Sequence, residues 1–226
     1  MGIELTDSDL PGGTKTPAHQ HVFANLRDLI LFGHLAPGQA VTIQGLTDML
    51  GAGVTPVREA LRRLISEGAL TQLGNRRVCV PTLTADGVEE LAFMRKFIEP
   101  ELARRAAARI TADQLDTLEQ IDAQLNEAIR LGDVGGYLTR NYQFHAAIYT
   151  LADAPIMTET VDRLWMRFGP SLRVVCGRFG TQNLPDKHAD LLRGLHDRDP
   201  EAVAQAMAED VEQGMQQIHL AILSDG

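Results

Sequence analysis

A mainly α-helical protein with one short β-hairpin is what three features of this 226-residue sequence predict. Apolar residues recur at i, i+3, i+4 and i+7 through most of the chain, the period of an amphipathic helix. A strand–turn–strand pattern is confined to Ala69–Val80. After Pro81 only long helical patterns follow, with no strand signal, no internal repeat and no low-complexity tract. The expected architecture is a flexible tail over residues 1–16, a winged helix-turn-helix over residues 17–81, and an all-helical bundle of six or seven helices over residues 84–222.

The tail is polar and rich in Gly, Asp and Thr, a composition that orders poorly at a terminus. Pro17 to Gly33 carries Val22, Leu26, Leu29 and Ile30 on one helical stripe, and Gly33 closes it. The loop HLAPGQAV turns at Pro37-Gly38. Thr42 to Leu50 is a second short helix with Ile43, Leu46 and Leu50 inward, and Gly51–Gly53 is a turn. The third helix begins at VTPVREALRRLISEGAL: Thr55 is placed to cap it, Pro56 to occupy a first-turn position where a missing N–H costs nothing, and Gly68 to end it. Val57, Ala60, Leu61 and Leu64 form its apolar stripe. Ala69–Leu73 and Val78–Val80 read as the two strands of the hairpin, joined by Gly74–Arg77.

Beyond the boundary near Val80–Thr84, the first bundle helix runs from Thr84 to Arg109 with Val88, Leu91, Ile98 and Leu102 inward. Thr111 and Gln114 make a capping box for a helix to Leu131. Asp133 caps another to about Leu151. Asp153-Ala-Pro155 opens a helix that holds the single tryptophan, Trp165, and reaches about Phe179, with a kink expected at Gly169-Pro170. Leu184–His196 is a fifth, and Asp199-Pro200 opens a sixth to about Ile222.

Charge separates these halves. The net charge of −9 argues against nucleic acid until the chain is divided. Residues 1–80 carry seven Lys/Arg and seven Asp/Glu; residues 81–226 carry fourteen and twenty-three. Within Val54–Arg77 there are five Arg against two acids. The concentrated basic patch therefore coincides with the third helix and the hairpin tip, as a DNA footprint requires. No apolar run is long enough to span a bilayer, and the N-terminus lacks the basic and apolar regions of a secretory signal. Cys79 and Cys176 have no metal-like spacing, so reduced thiols in a cytoplasm are expected.

Thr55, Arg58 and Arg62 share one face of the third helix; Asn75, Arg76 and Arg77 tip the hairpin. A solvated surface helix also carries arginines, but a helix pair followed by an arginine-faced helix and a basic hairpin is the geometry that seats a helix in the major groove and a wing on flanking phosphates. The residues Gly53-Val-Thr-Pro-Val-Arg-Glu-Ala-Leu61 resemble the recognition-helix signature of the GntR family of bacterial transcription regulators, Ser-Arg-Thr-Pro-Val-Arg-Glu-Ala-Leu. The sequence departs at its first two positions, and Val54 stands where the family usually has a base-contacting Arg.

Four polar residues fall on inward faces of the bundle. Asn141 and His145 are four apart, so they stack on one helix face; His188 sits near Leu191, and Asp210 near Met207 and Val211. Each also suits a plain structural role, as a core histidine or one more charge on an acidic helix. Asn141-Tyr-Gln-Phe144-His145 is similar to the D-x-x-F-H motif in the effector domain (FCD) of the FadR branch of the GntR family. That resemblance implies a metal quartet at Asn141, His145, His188 and Asp210, with Asn and Asp in two places where the family has Asp and His. A divalent first-row ion, zinc foremost, suits such donors. The resemblance also implies a small organic-acid effector, with Arg95 of the Arg95–Glu99 pair and Arg173 as its carboxylate anchors. His196 and His219 read as surface residues.

A DNA-binding transcriptional regulator, a repressor under effector control, is thus the expected function. It would act as a cytoplasmic homodimer on double-stranded operator DNA, because one short helix reads only a half-site. Two other readings stay open: a regulator for which the ion itself is the signal, and a helical metalloenzyme whose winged helix serves protein contacts. Against the enzyme stand the five arginines and the lack of nucleophile–base spacing or a paired general acid and base.

Overall fold

The computed structural model describes residues 18–74, 77–179 and 187–224. The expected tail over residues 1–16 lies outside them. Helix α1 (Ala18–Leu31) buries Val22, Leu26 and Ile30. Strand β1 (Ala40–Thr42) leads directly into α2 (Ile43–Leu50), which Thr42 caps by accepting from the Gly45 N–H at 3.0 Å. Helix α3 (Val54–Ser66) follows, then β2 (Thr71–Leu73) and β3 (Arg77–Cys79).

Three details of the winged helix differ from expectation. The cap of α3 is Gly53, with no side-chain bond, so Thr55 lies inside the first turn. Ala69 and Leu70 do not join the strand but bury themselves in the core, and β3 begins one residue early, at Arg77. The sheet has three strands, in the order β1-β3-β2, because Ala40–Thr42 pairs antiparallel with Arg77–Cys79. A three-residue edge strand is too short to show alternation, so the sequence reads as loop there. A lone hairpin is marginal in water, and the third strand completes it.

The helical part comprises α4 (Ala85–Ala107), α5 (Ala112–Leu131), α6 (Val134–Leu151), α7 (Pro155–Phe179), α8 (Lys187–Asp197) and α9 (Pro200–Leu223). The expected caps form: Thr84 on α4, the Thr111–Gln114 capping box on α5, Asp133 on α6 and Asp199 on α9. Helix α7 continues through Gly169-Pro170 as one element. Leu184, the expected start of the fifth helix, lies outside the described residues. Helices α4 and α9 run antiparallel along one another, joined by Arg104–Glu201 at 2.9 Å near one end and Lys96–Glu212 further along.

One hydrophobic core runs through both parts. They meet where the end of α1 crosses α7. Gly169 is required there: a Cβ would stand 2.8 Å from the Leu31 carbonyl oxygen. Gly33, with φ +67, turns the chain out of α1 against the Arg173 side chain.

Candidate DNA-reading face and buried polar centre

Burial of Val57, Ala60, Leu61 and Leu64 turns the opposite side of α3 to solvent. Thr55, Arg58 and Arg62 are all exposed there. No hydrogen bond or ion pair to another described residue holds Arg58 or Arg62. Arg63 on the adjacent row is engaged: its guanidinium lies 3.9 Å above the Phe23 ring and pairs with Glu67 at 2.8 Å. Val54 is 38% exposed at the start of the helix. Arg77 is exposed at the entrance to β3, in register with Thr42 and Leu73. Asn75 and Arg76 lie outside the described residues.

The helical part holds a polar centre in its core. His145 on α6, His188 on α8 and Asp210 on α9 bring one ligand atom each to within 4.8 Å of one another. His145 is 1% exposed and His188 7%. His145 Nε2 lies 3.2 Å from Asp210 Oδ2. Burial by itself would raise the Asp210 carboxyl; His145, hydrogen-bonded to it, with His188 and Arg95 nearby, outweighs burial and holds it at about 2.

Each imidazole has its other nitrogen engaged. His188 Nδ1 is 3.1 Å from Asp122 Oδ1 on α5, and its ring stacks on Phe144 at 4.0 Å. His145 Nδ1 is 3.2 Å from the Tyr149 hydroxyl, which donates its own proton to Glu99 Oε2 at 2.6 Å. The Tyr149 oxygen is therefore an acceptor for Nδ1–H. Both Nε2 atoms are left to face the centre, the arrangement in which outer partners fix a metal-binding histidine. Two imidazoles and an ionised carboxylate are a donor set for a first-row divalent ion. Asn141, one turn before His145 on α6, is half-buried and adds an amide on the same helix.

The two arginines part company. Arg95 is 3% exposed and reaches the centre, but Glu99 already occupies its fork, Nε to Oε1 at 2.5 Å and Nη2 to Oε2 at 3.0 Å. The guanidinium lies 3.9 Å above Phe168, and Nη1 meets Met215 Sδ at 3.3 Å. Arg173 stands elsewhere, against Gly33 and 3.4 Å from the Phe32 carbonyl. It joins α7 to the winged helix and does not enter the cluster. The sequence places Arg173 on α7 as a carboxylate anchor; the face it presents depends on where α1 crosses, and that crossing sets it apart from the His–His–Asp cluster.

Sequence reasoning missed Asp122 and Tyr149, and named Glu99 only as the partner of Arg95 and not as an acceptor from Tyr149. Asp122 carried a signal: with Leu118 and Leu125 it completes a buried stripe of α5, so an acid sits where an apolar residue belongs. His196 is exposed as expected, and His219 half-exposed.

A winged helix in front of a helical bundle with a buried His–His–Asp cluster invites comparison with known proteins. Residues 18–80 match the family described as bacterial regulatory proteins, gntR family, and residues 90–213 match the FCD domain. The chain belongs to the GntR family, FCD branch. The HTH-type transcriptional regulator McbR of Escherichia coli K12 is 29% identical over 194 residues, covering 84% of this chain and 88% of McbR. The HTH-type transcriptional repressor RspR of the same strain is 27% identical, covering 87% of each. The solved structure of E. coli McbR/YncC superposes with a TM-score of 0.85 at 27% identity, over 94% of this chain and all of that one. This GntR-family protein is a DNA-binding transcriptional regulator. Among its described residues no helix is long and apolar enough to cross a membrane.

Proposed function

We propose that this GntR-family regulator is a cytoplasmic homodimeric repressor controlled by a small carboxylate bound in its FCD domain through a divalent metal. The reading divides the chain into a DNA-reading unit over residues 17–81 and an effector unit over residues 84–222. The observation that carries it is the convergence of His145, His188 and Asp210, with both Nδ1 atoms held from behind. The Nε2 atoms of His145 and His188, the Asp210 carboxylate and the Asn141 amide would hold the ion, zinc first by donor type. The ion would supply a Lewis-acidic anchor for a carboxylate. Arg95 lends the centre positive charge, but Glu99 must yield before Arg95 can pair a ligand. The similarity to a relative named a repressor supports the sign of regulation.

The reading head would enter the major groove with Thr55, Arg58 and Arg62, while Asn75, Arg76 and Arg77 meet the flanking backbone. A route for control lies between the units. His145 packs on Trp165 at 5.4 Å, Trp165 on Tyr142 at 5.3 Å, and Tyr142 accepts a hydrogen bond from Arg27 of α1 at 2.6 Å. A change at the centre would reach the helix that supports α3 along these contacts.

The test is a thermal-shift screen of small carboxylates with and without zinc, followed by operator affinity measured with the same additions. A ligand that binds the native state raises the melting temperature by mass action. A stabilising carboxylate that needs zinc and weakens operator binding is the expected result. Zinc alone changing operator affinity would make the ion itself the signal. Stabilisation by carboxylates in protein with no stoichiometric metal would remove the ion from the mechanism.

A further inference from the structure

A cleft of about 200 Å³ opens where the winged helix meets the bundle. One side is the turn at Ala36-Pro37 with Thr82 and Leu83, which lead from β3 to α4; the other is built by Ser171 and Val174 of α7 and by the end of α9 around Ile218. The turn is fastened to the end of the wing: Pro37 bridges Val80, and the Gly38 N–H donates to the Val80 carbonyl at 2.8 Å. Neither the His–His–Asp centre nor Arg95 lines this cleft. Its described lining is apolar except for two hydroxyls, and none of it is charged.

One of those hydroxyls has no partner. Ser171 is 8% exposed, and it makes no hydrogen bond to another described residue. Hydroxyls inside a helix commonly bond back to the carbonyl one turn earlier. Thr47, Thr139 and Thr150 do so here, at 2.8, 2.9 and 2.8 Å. Ser171 does not, and it is left facing the cleft from a buried position. Thr82, the other lining hydroxyl, is exposed and has water for a partner. A buried hydroxyl without a partner is costly, and a ligand that bonds to it recovers that cost.

Size and chemistry narrow the ligand. An apolar cavity of about 150 Å³ takes up one benzene ring, so this cleft holds a single ring with a small substituent. An uncharged lining rejects a carboxylate or an ammonium group, which would lose its water for nothing in return. The Ser171 hydroxyl both donates and accepts, so one polar group on the ligand suffices to orient it. We propose that this cleft is a second ligand site, for a small neutral molecule of one ring bearing a single hydrogen-bonding group, and that its occupant fixes the reading head against the bundle. The ligand touches the turn that holds the wing on one side and α7 and α9 on the other. The site does not depend on the metal centre or on the carboxylate proposed there.

The test uses phenol, with toluene as the same shape without the hydroxyl, in ligand-observed NMR titrations of the full chain stripped of metal by a chelator. Phenol should bind saturably and about tenfold more tightly than toluene, the worth of one hydrogen bond. Ser171→Ala should bring phenol down to the level of toluene and leave toluene unchanged. Val174→Phe puts a ring of its own into the cleft and should abolish both, with helical circular dichroism unchanged. If Val174→Phe fails to fold, Ser171→Ala still decides. Benzoate should not compete with phenol. Phenol should also alter operator affinity in wild type and not in Val174→Phe. Absence of saturable phenol binding, binding that requires zinc, or a preference for phenol that persists in Ser171→Ala would overturn the site. Phenol binding that leaves operator affinity unchanged would overturn its hold on the reading head.

Discussion

Arg27 on α1 donates a 2.6 Å hydrogen bond to the hydroxyl of Tyr142 on α6. The same hydroxyl donates to Asp162 Oδ1 on α7 at 2.8 Å, and Arg27 reaches that oxygen at 3.3 Å. Three helices from both parts of the molecule thus meet at one phenol. Tyr142→Phe keeps the ring and its edge-on packing against Trp165 but leaves Arg27 without its shortest bond. It should cost about 1 kcal/mol of stability. A double-mutant cycle with Arg27→Ala should return a coupling of about 0.5 kcal/mol or more. Purely additive losses in urea denaturation would mean that the triad does not act as a unit.

On the reading head, Arg58 and Arg62 are exposed and unpaired among the described residues, so their guanidinium groups are free to meet DNA. Arg58→Ala should cost about 1–3 kcal/mol of operator binding if it reads a base. Arg76→Ala should weaken all sequences alike and reduce the salt slope by about one if it contacts phosphate. Titrations of operator and random duplex at several salt concentrations separate the two behaviours. Unchanged operator affinity in both variants would exclude this face from DNA contact.

Val54, exposed at the start of α3, cannot grip a guanine through two acceptors as an arginine does. It offers apolar contact only, for which a thymine methyl group is the natural target. Selection from random duplexes should return a half-site that departs from the usual family half-site at one base pair. Recovery of the unchanged family half-site would refute this.

At the buried centre, the imidazoles and their outer partners give separable outcomes. His188→Ala should lose most bound zinc, whereas Asn141→Ala should lose less, since a neutral amide contributes little to a cation. Asp122→Asn removes the negative charge behind His188 and should weaken zinc by about 10–100-fold. Elemental analysis after dialysis against zinc, with competition by a chelator, measures all three. Zinc content unaffected by His188→Ala would disprove the ligand set.

Alkaline stability should depend on Tyr149. Burial first, and then the Glu99 carboxylate, push its hydroxyl pKa well above the usual value of 10. The proton is held more tightly folded than unfolded, so this stabilisation is complete below about pH 10 and falls as pH rises beyond it. The urea midpoint of wild type should fall between pH 9 and pH 11 more steeply than that of Tyr149→Phe. Parallel slopes would show that other groups set the alkaline limit.

The buried pair Arg95–Glu99 should be costly to break from one side. Glu99→Gln leaves a guanidinium buried with a neutral partner, and loss of a buried charge partner costs about 3–5 kcal/mol. Thermal unfolding should show a marked fall in melting temperature, while Lys96→Ala, at an exposed pair on the next residue, should change it little. Comparable losses in the two variants would contradict the burial difference.

Local chemistry by itself determined the helices, the caps of four bundle helices and the two strands that follow α3. Thr84, Thr111–Gln114, Asp133 and Asp199 cap where the sequence places them, because a cap is a bond within four residues. The apolar stripe of α3 is buried as its spacing requires, and that alone exposes Thr55, Arg58 and Arg62. Tertiary structure decided what depends on distant neighbours. The third strand exists because Thr42 meets Arg77, a pairing that three residues of β1 cannot announce. His188 and Asp122 are 66 residues apart, and only the docking of α8 on α5 brings them to 3.1 Å. Arg95 and Arg173 look alike in sequence, both being arginines on long helices. Packing buries one against Glu99 and leaves the other at the crossing of α1 and α7, since a side chain's partner depends on which helix face its neighbours cover.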